Sequence, residues 1–197
     1  MTQITHVYDD ASTAREVVSA LEDAGFTSSE ISIVKQHGEN VTTKTAADDD
    51  DSDGAQTGAT IGLVAGTGAG LLASLGMIAI PGIGPLVAAG VLATTLATAA
   101  AGTVAGGLLG ALVDYGVSPE HADIYAENVR RGGTLVSVKA EGERLSEAEE
   151  IMQEYDPVDV GARGETYRQE GWTRYDPDAP AYSEKDADLE RDRYRSM

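Results

Sequence analysis

The chain contains no cysteine. Disulfides, zinc–thiolate centres, iron–sulfur clusters and cysteine catalysis are therefore excluded. Aromatic residues are almost as scarce: Phe26 is the single phenylalanine and Trp172 the single tryptophan. Any core must be built from Val, Ile, Leu, Ala and Tyr. Cations are few, with 14 Lys and Arg against 33 Asp and Glu and a formal net charge of −19. A field of that sign repels nucleic acid and anionic lipid headgroups, and no basic cluster opposes it, so no nucleic-acid partner is expected. An acidic, lysine-poor surface also fits a high-salt cytoplasm. The opening "MTQITHVYDD" has neither a basic region nor an apolar core segment, so no secretory signal is expected.

Charge itself is missing from one long stretch. From Gly58 to Val113 there is no Asp, Glu, Lys or Arg. The chain divides around it. Residues 1–38 read as a first βαβ half, 39–57 as an acidic linker, 58–113 as an apolar helical hairpin, 114–163 as a helix plus a second βαβ half, and 164–197 as a largely disordered tail with aromatic residues among its charges.

In the first half "ITHVY" is a short strand, with Asp9, Asp10 or Ser12 available to cap a helix. Ala14, Val17, Val18 and Leu21 repeat at i, i+3, i+4, i+7, which is one helical face, and Gly25 ends it. "ISIV" at 31–34 is a second strand. After the charge-free stretch, Ser118 and Pro119 open a helix with Ala122, Tyr125, Ala126 and Val129 on its apolar face, stopped by Gly132–Gly133. "TLVSVKA" at 134–140 is a strand. A helix from Ser146 carries Ala148, Ile151, Met152 and Tyr155 at the same spacing as the first, and "PVDV" at 157–160 reads as a last short strand. With the middle and the 118–131 helix set aside, the order is strand–helix–strand twice. The expected fold is α+β: a ferredoxin-like split βαβ domain, two helices on one face of a four-stranded antiparallel sheet, interrupted by the apolar hairpin.

The break in the apolar stretch is "IPGIGP" at 80–85, where Pro81, Gly82, Gly84 and Pro85 predict a turn between two helical arms. The arms, at about Thr57–Ala79 and Leu86–Val113, would be about 34 and 42 Å long. Small residues recur every fourth position: Gly58, Gly62, Gly66, Gly70 and Ser74 in the first arm, and Gly90, Thr94, Thr98, Gly102, Gly106 and Gly110 in the second. Each glycine costs a helix about 1 kcal/mol relative to alanine. Close backbone approach between two small-residue ladders would offset that, giving a glycine-zipper hairpin. Each arm is long enough to cross a hydrocarbon core. Ile61, Leu63, Val64, Leu71, Leu72, Leu75 and Ile78 supply about −2 to −4 kcal/mol toward insertion, a marginal sum. Membrane lipid at the cytoplasmic side of the inner membrane is thus one expected partner. The alternative is a soluble cytoplasmic assembly in which hairpins of several copies pack together.

Motifs for chemistry fail on inspection. "DDDDSDG" places Asp49, Asp51, Asp53 and Gly54 as in a calcium loop, but Thr60 stands where its bidentate Glu belongs, and a solvated linker is the simpler reading. "GTGAG" at 66–70 approaches a dinucleotide loop, but Leu71 replaces the third glycine. Ser74 lies in "LASLG", not in a nucleophile elbow. His6, His37 and His121 are dispersed, and Glu147, Glu150 and Glu154 form an ordinary solvated helix face. No catalytic, cofactor-binding or metal residues are assigned, and no enzyme is expected.

The "AIPGIGPLVAAG" turn between small-residue ladders, followed by "YAENVRRGGTLVSVKA" and, in the tail, "WTRYDP", resembles the bacterial general stress protein family (heat-induced, YflT-like, or low-temperature-induced). The resemblance covers about residues 3–160. It implies a stress-linked role, a ferredoxin-like domain and a hydrophobic hairpin, with no catalytic residues to transfer. The expectation is a non-enzymatic stress-response protein that self-associates or enters the membrane through its hairpin; a small-molecule-sensing domain is a further alternative, by analogy of fold alone.

Overall fold

Asp9 and Asp10 interrupt the first run of extended residues, and the chain turns there from strand to helix. In a computed structural model describing residues 2–36, 76–80, 84–90, 92, 107–176, 179–180 and 182–195, that strand is β1 (Thr2–Tyr8) and the helix α1 (Ala11–Asp23). Asp10 takes the extended N-cap conformation, and its carbonyl accepts from Ala14 N at 3.1 Å. Ala14, Val17, Val18 and Leu21 are the buried face of α1, as their spacing requires. The chain continues through β2 (Ile31–Gln36), β3 (Gly76–Ile80), β4 (Gly84–Ala89), α2 (Gly107–Asp114), α3 (Pro119–Arg130), β5 (Thr134–Ala140), α4 (Glu143–Gln153), α5 (Val160–Gln169) and α6 (Glu184–Arg195).

The architecture is α+β around one antiparallel sheet in the order β1-β5-β2-β4-β3. β5 runs between β1 and β2, pairing Thr5 with Ser137 on one side and Ser32 with Ser137 on the other. β1 and β2 are therefore parallel to each other and joined by α1, with β5 inserted antiparallel between them. β5 can occupy an interior position in the sheet because its residues are apolar or hydrogen-bonded on both faces. Val136, Val138 and Ala140 point one way, into a core shared with α1 and α4. Leu135 points the other way, into a core shared with α2 and α3. Ser137 is buried yet satisfied, donating to Ile4 O at 3.0 Å and lying 3.0 Å from Thr5 Oγ1. Fully burying each of Val17, Val18 and Leu21 contributes about 1.5–3 kcal/mol. Met152, at the end of α4, is fully buried in the same layer and its carbonyl accepts from the Tyr8 hydroxyl at 2.9 Å.

Several expectations are corrected. The spacing of small residues in the charge-free stretch predicts helix up to Ala79 and again from Leu86. Instead, residues 76–80 and 84–89 are strands that extend the sheet, β4 pairing with β2 from Gln36↔Leu86 to Ile33↔Ala89 and β3 pairing with β4. The physical reason is the partner on offer. An apolar run with no polar residues carries no period of its own, and the edge of β2 presents unpaired backbone groups that a strand can satisfy and a helix cannot. Ile80 pairs with Gly84, so the chain does reverse within "IPGIGP", but between strands. The second sheet face, left uncovered in the two-helix layout, is closed by α2 and α3, with Leu108, Leu112, Ala122, Ala126 and Val129 buried. "PVDV" is not a strand: Val158 N donates to Val7 O at 2.8 Å and Val160 already begins α5. Finally, the tail expected to be largely disordered contains the greater part of α5 and the whole of α6.

Candidate functional site

α3 is built as its sequence demands. Ser118 accepts from His121 N at 3.4 Å and Pro119 occupies the first turn. Its apolar stripe seats it on the sheet, which leaves Glu127, Asn128, Arg130 and Arg131 on the side away from the strands near its C-terminus. Cations there complement the helix dipole, and on a free helix they would be solvated. Here all four are buried, and so is Arg163 of α5. In a chain with 14 cations among 197 residues, three buried arginines in one place form the most concentrated polar feature of the described residues.

Glu127 is the pivot. It is 1 % exposed. Its Oε2 accepts from Arg130 Nε at 2.9 Å, and its Oε1 accepts from Arg130 Nη2 at 2.6 Å and from Arg131 Nε at 2.7 Å. Arg131 Nη1 donates outward to Glu190 Oε1 of α6 at 2.6 Å and to Glu170 Oε2 at 3.0 Å. Its guanidinium lies 4.0 Å from the ring centroid of Tyr167, a cation–π contact in a desolvated setting. Burial disfavours the charge of Arg131, but hydrogen bonds to Glu127 and Glu190 outweigh it, and the pKa rises. Arg163 makes a two-pronged pair with Asp9 at 2.8 and 2.7 Å and sits 3.6 Å from the ring centroid of Tyr194. Arg130 Nη1 donates to Pro180 O at 2.7 Å.

Tyr167, fully buried, joins these parts. Its ring meets Trp172 and Tyr194 edge-on, at 5.7 and 6.4 Å between centroids, and its hydroxyl accepts from Asn128 Nδ2 at 3.3 Å. Burial pushes its pKa up against the pull of Arg163 and Arg131. Asn128 Oδ1 has no hydrogen-bond partner among the described residues. A cavity of about 10 Å³, the size of one water, lies among Asp9, Asn128, Arg131, Gly133, Arg163 and Tyr167. Gly133 is required here, because a Cβ would sit 1.7 Å from Asn128 Oδ1. The arrangement recognises carboxylates and aromatic rings. The cavity among Asp9, Asn128 and Arg131 admits a group no larger than a water, and a second, open cavity of about 370 Å³ lies on the outer side of Glu190 and Tyr182.

The residues singled out from sequence are dispersed relative to this cluster. Gly58, Gly62, Gly66, Gly70, Ser74, Thr94, Thr98, Gly102 and Gly106 lie outside the described residues, as do Pro81, Gly82 and the acidic run at 48–54. Gly84 and Pro85 open β4, and Gly110 is on α2. Gly90 follows β4 at φ +83° and is pressed against β2. His6 meets Glu149 at 3.0 Å, where the opposing effects of burial and of hydrogen bonds from Gln153 and His6 leave the Glu149 carboxyl below its usual pKa. His121 is exposed, as are Glu147, Glu150 and Glu154. Among the described residues no three His, Asp or Glu converge as a metal site, and no helix is long and apolar enough to cross a membrane. Sequence reasoning passed over Glu127, Arg131, Arg163, Tyr167 and Glu190. The available signal was the pair Arg130–Arg131 at a helix end in a cation-poor chain. Comparison with known proteins gives no matching family model, no matching curated protein and no matching solved structure.

Proposed function

We propose that this chain is a non-enzymatic binding and assembly protein of the general stress-response type that its sequence resembles, with a ferredoxin-like core and self-association through its charge-free stretch in the cytoplasm. The ferredoxin-like reading is supported by the β1-β5-β2 order, with α1 and α4 on one face. In that plan a fourth strand would run along the outer edge of β1, and Val158 makes a single hydrogen bond there.

The observation that carries the functional reading is the use made of the charge-free stretch. Each of its described parts is spent on protein packing. Residues 86–89 pair with β2, Ala88 and Leu92 are buried in the core, and Leu108, Ala111 and Leu112 of α2 cover the sheet. A stretch anchored in the sheet at its middle and its end favours burial in protein over a hairpin whose tip lies beyond a bilayer. Self-association through this stretch is supported by its length and its lack of charge. Non-enzymatic action is supported by the closure of the polar cluster, whose charged groups are mutually paired around a cavity of about 10 Å³.

The test is flotation of the full chain with vesicles of neutral and anionic lipid, alongside light scattering. The expected outcome is recovery in the lipid-free fraction with a mass that is a multiple of 20.5 kDa. Flotation with vesicles would overturn the proposal in favour of membrane insertion, and a monomer in solution would overturn self-association.

A further inference from the structure

The C-terminal helix is attached in an unusual way. α6 has almost no apolar face: Ala187 is buried, while Leu189 is 60 % exposed. Neither residue belongs to the two cores on the sheet, which are complete without α6. What holds the helix is polar and aromatic. Glu190 meets Arg131, Arg193 pairs with Glu170, Tyr194 lies under Arg163, and Ala187 rests on Gly132, where an added Cβ would come within 2.4 Å of its own Cβ. Removing α6 would therefore expose charged and aromatic groups, not a hydrophobic core.

The surface beneath is arranged in advance. Arg131 is oriented by Glu127 and by the Tyr167 ring, and Arg163 by Asp9, independently of α6. Side chains already held in place lose little entropy on receiving a ligand. A water-sized cavity between this surface and the resident helix adjoins Asn128 Oδ1, Glu190 and Arg191. Ala187, Glu190 and Tyr194 recur at i, i+3 and i+7, the spacing by which a helix presents anchors to a groove.

We propose that α6 is a reversible strap, and that the Arg131–Tyr167–Arg163 surface is a docking site for an acidic, tyrosine-bearing helix of a partner protein, with α6 as its resident occupant. The partner needs a small residue facing Gly132, a carboxylate for Arg131 and an aromatic ring for Arg163. A donor able to reach Asn128 Oδ1 would give it an advantage over α6. The chain reaches α6 from Tyr175, which is buried in the core, and Pro180 and Tyr182 contact Arg130 on the way, so a released α6 stays tethered beside its site at a millimolar effective concentration. Binding of a partner therefore follows strap release, which links the site to whatever weakens the ion pairs, the exposed Arg193–Glu170 pair being the one that ionic strength reaches first.

The experiment uses the full chain carrying Glu190→Lys, with hydrogen exchange as the first readout. Reversal of this charge against Arg131 is expected to speed exchange in residues 184–195 by about ten- to a hundredfold, with α3 and β5 unchanged. The second readout is the anisotropy of a labelled peptide spanning residues 183–197, added in trans. It should bind the Glu190→Lys chain at least tenfold more tightly than wild type, and an added Arg131→Met should abolish that binding. Should Glu190→Lys disturb the fold, wild type is compared between low salt and about 1 M salt, where the Debye length shrinks to about 3 Å; α6 alone should then exchange faster. Unchanged α6 exchange under both perturbations would overturn the strap, and an opened strap that leaves the peptide unbound would overturn the docking site.

Discussion

Replacing Gly90 by alanine separates two accounts of the same residue. In a helical small-residue ladder, alanine is the mildest substitution available. In the folded chain Gly90 has φ +83°, and a Cβ there would lie 2.0 Å from Ile31 O and 2.7 Å from Ser32 Cα. Both are backbone atoms of β2, which is hydrogen-bonded to β4 on one side and β5 on the other and has no room to yield. The left-handed conformation alone costs an alanine about 1–2 kcal/mol. Relief of the clash requires the end of β4 to lift from β2, disturbing the Ile33↔Ala89 pairing and the bond from Leu92 N to Ser32 Oγ at 3.2 Å. At about 1 kcal/mol per hydrogen bond, the total comes to about 3–4 kcal/mol. Gly25 supplies the control: its φ is +86° but nothing described lies within 4 Å of an added Cβ, so Gly25→Ala should cost only about 1–2 kcal/mol, that of the left-handed conformation. Urea denaturation of both variants measures the difference directly, and a thermal shift of about 10 °C should accompany Gly90→Ala. If the two variants were equally destabilised, β4 would not be pressed onto β2 at this point.

Three further outcomes follow from the packing. The Tyr125 hydroxyl donates to Thr5 O at 2.8 Å, and burial, aided by the charge of Glu149, pushes its pKa up to about 12. Because the folded chain holds this proton more tightly than the unfolded chain, the associated stability is present below about pH 10 and is lost as pH rises toward 12, at about 1.4 kcal/mol per pH unit for each such tyrosine; Tyr125→Phe should flatten that slope in urea melts taken at rising pH, and an unchanged slope would exclude Tyr125 as a contributor. Asp9→Asn removes the carboxylate that pairs with buried Arg163 and should cost roughly 2 kcal/mol, with exchange accelerated mainly in α5; a neutral substitution would show that Arg163 is satisfied without it. Met152→Ala empties a fully buried site between α4 and the sheet and should cost about 2–4 kcal/mol by chemical denaturation, whereas a loss under 1 kcal/mol would mean that the α4 layer closes over the gap.

The elements that sequence made legible share one property, a contrast between apolar and polar positions. α1 and α3 show it at helical spacing, with Asp10, Ser118 and Pro119 at their starts and Gly25, Gly132 and Gly133 at their ends. The strands at 134–140 and 31–36 are short β-branched runs bounded by turn residues. Where the contrast vanishes, so does the signal. "GMIAI" and "GPLVAA" contain no polar residue to mark a face, and glycine or threonine at every fourth position lends such a run a helical look whatever its conformation. The punctuation at Pro81–Pro85 was informative about the reversal but silent on what it joins. Only the edge of β2, distant in sequence, decides that the flanks pair as strands.

The tail fails for the opposite reason, and that failure explains the site. α5 and α6 have polar residues all round, so no stripe announces them, and local signals are limited to caps: Asp159 Oδ1 accepting from Ala162 N at 2.9 Å and Ser183 Oγ from Asp186 N at 3.3 Å. Helices of this kind gain little from burying apolar surface and form where charged partners wait for them. Those partners are the glutamate and arginines at the end of α3, which a single sequence shows only as ordinary helix-terminal charges. Each half is unremarkable alone, and burial of Arg131 is tolerable only because Glu127 lies beneath it and Glu170 and Glu190 lie beside it. A buried charge that loses its partner is expensive, so Arg131 must keep a carboxylate when α6 leaves. Glu127 and Glu170 remain to hold it, which makes the open state of the strap reachable and gives an incoming carboxylate a cation already held in position.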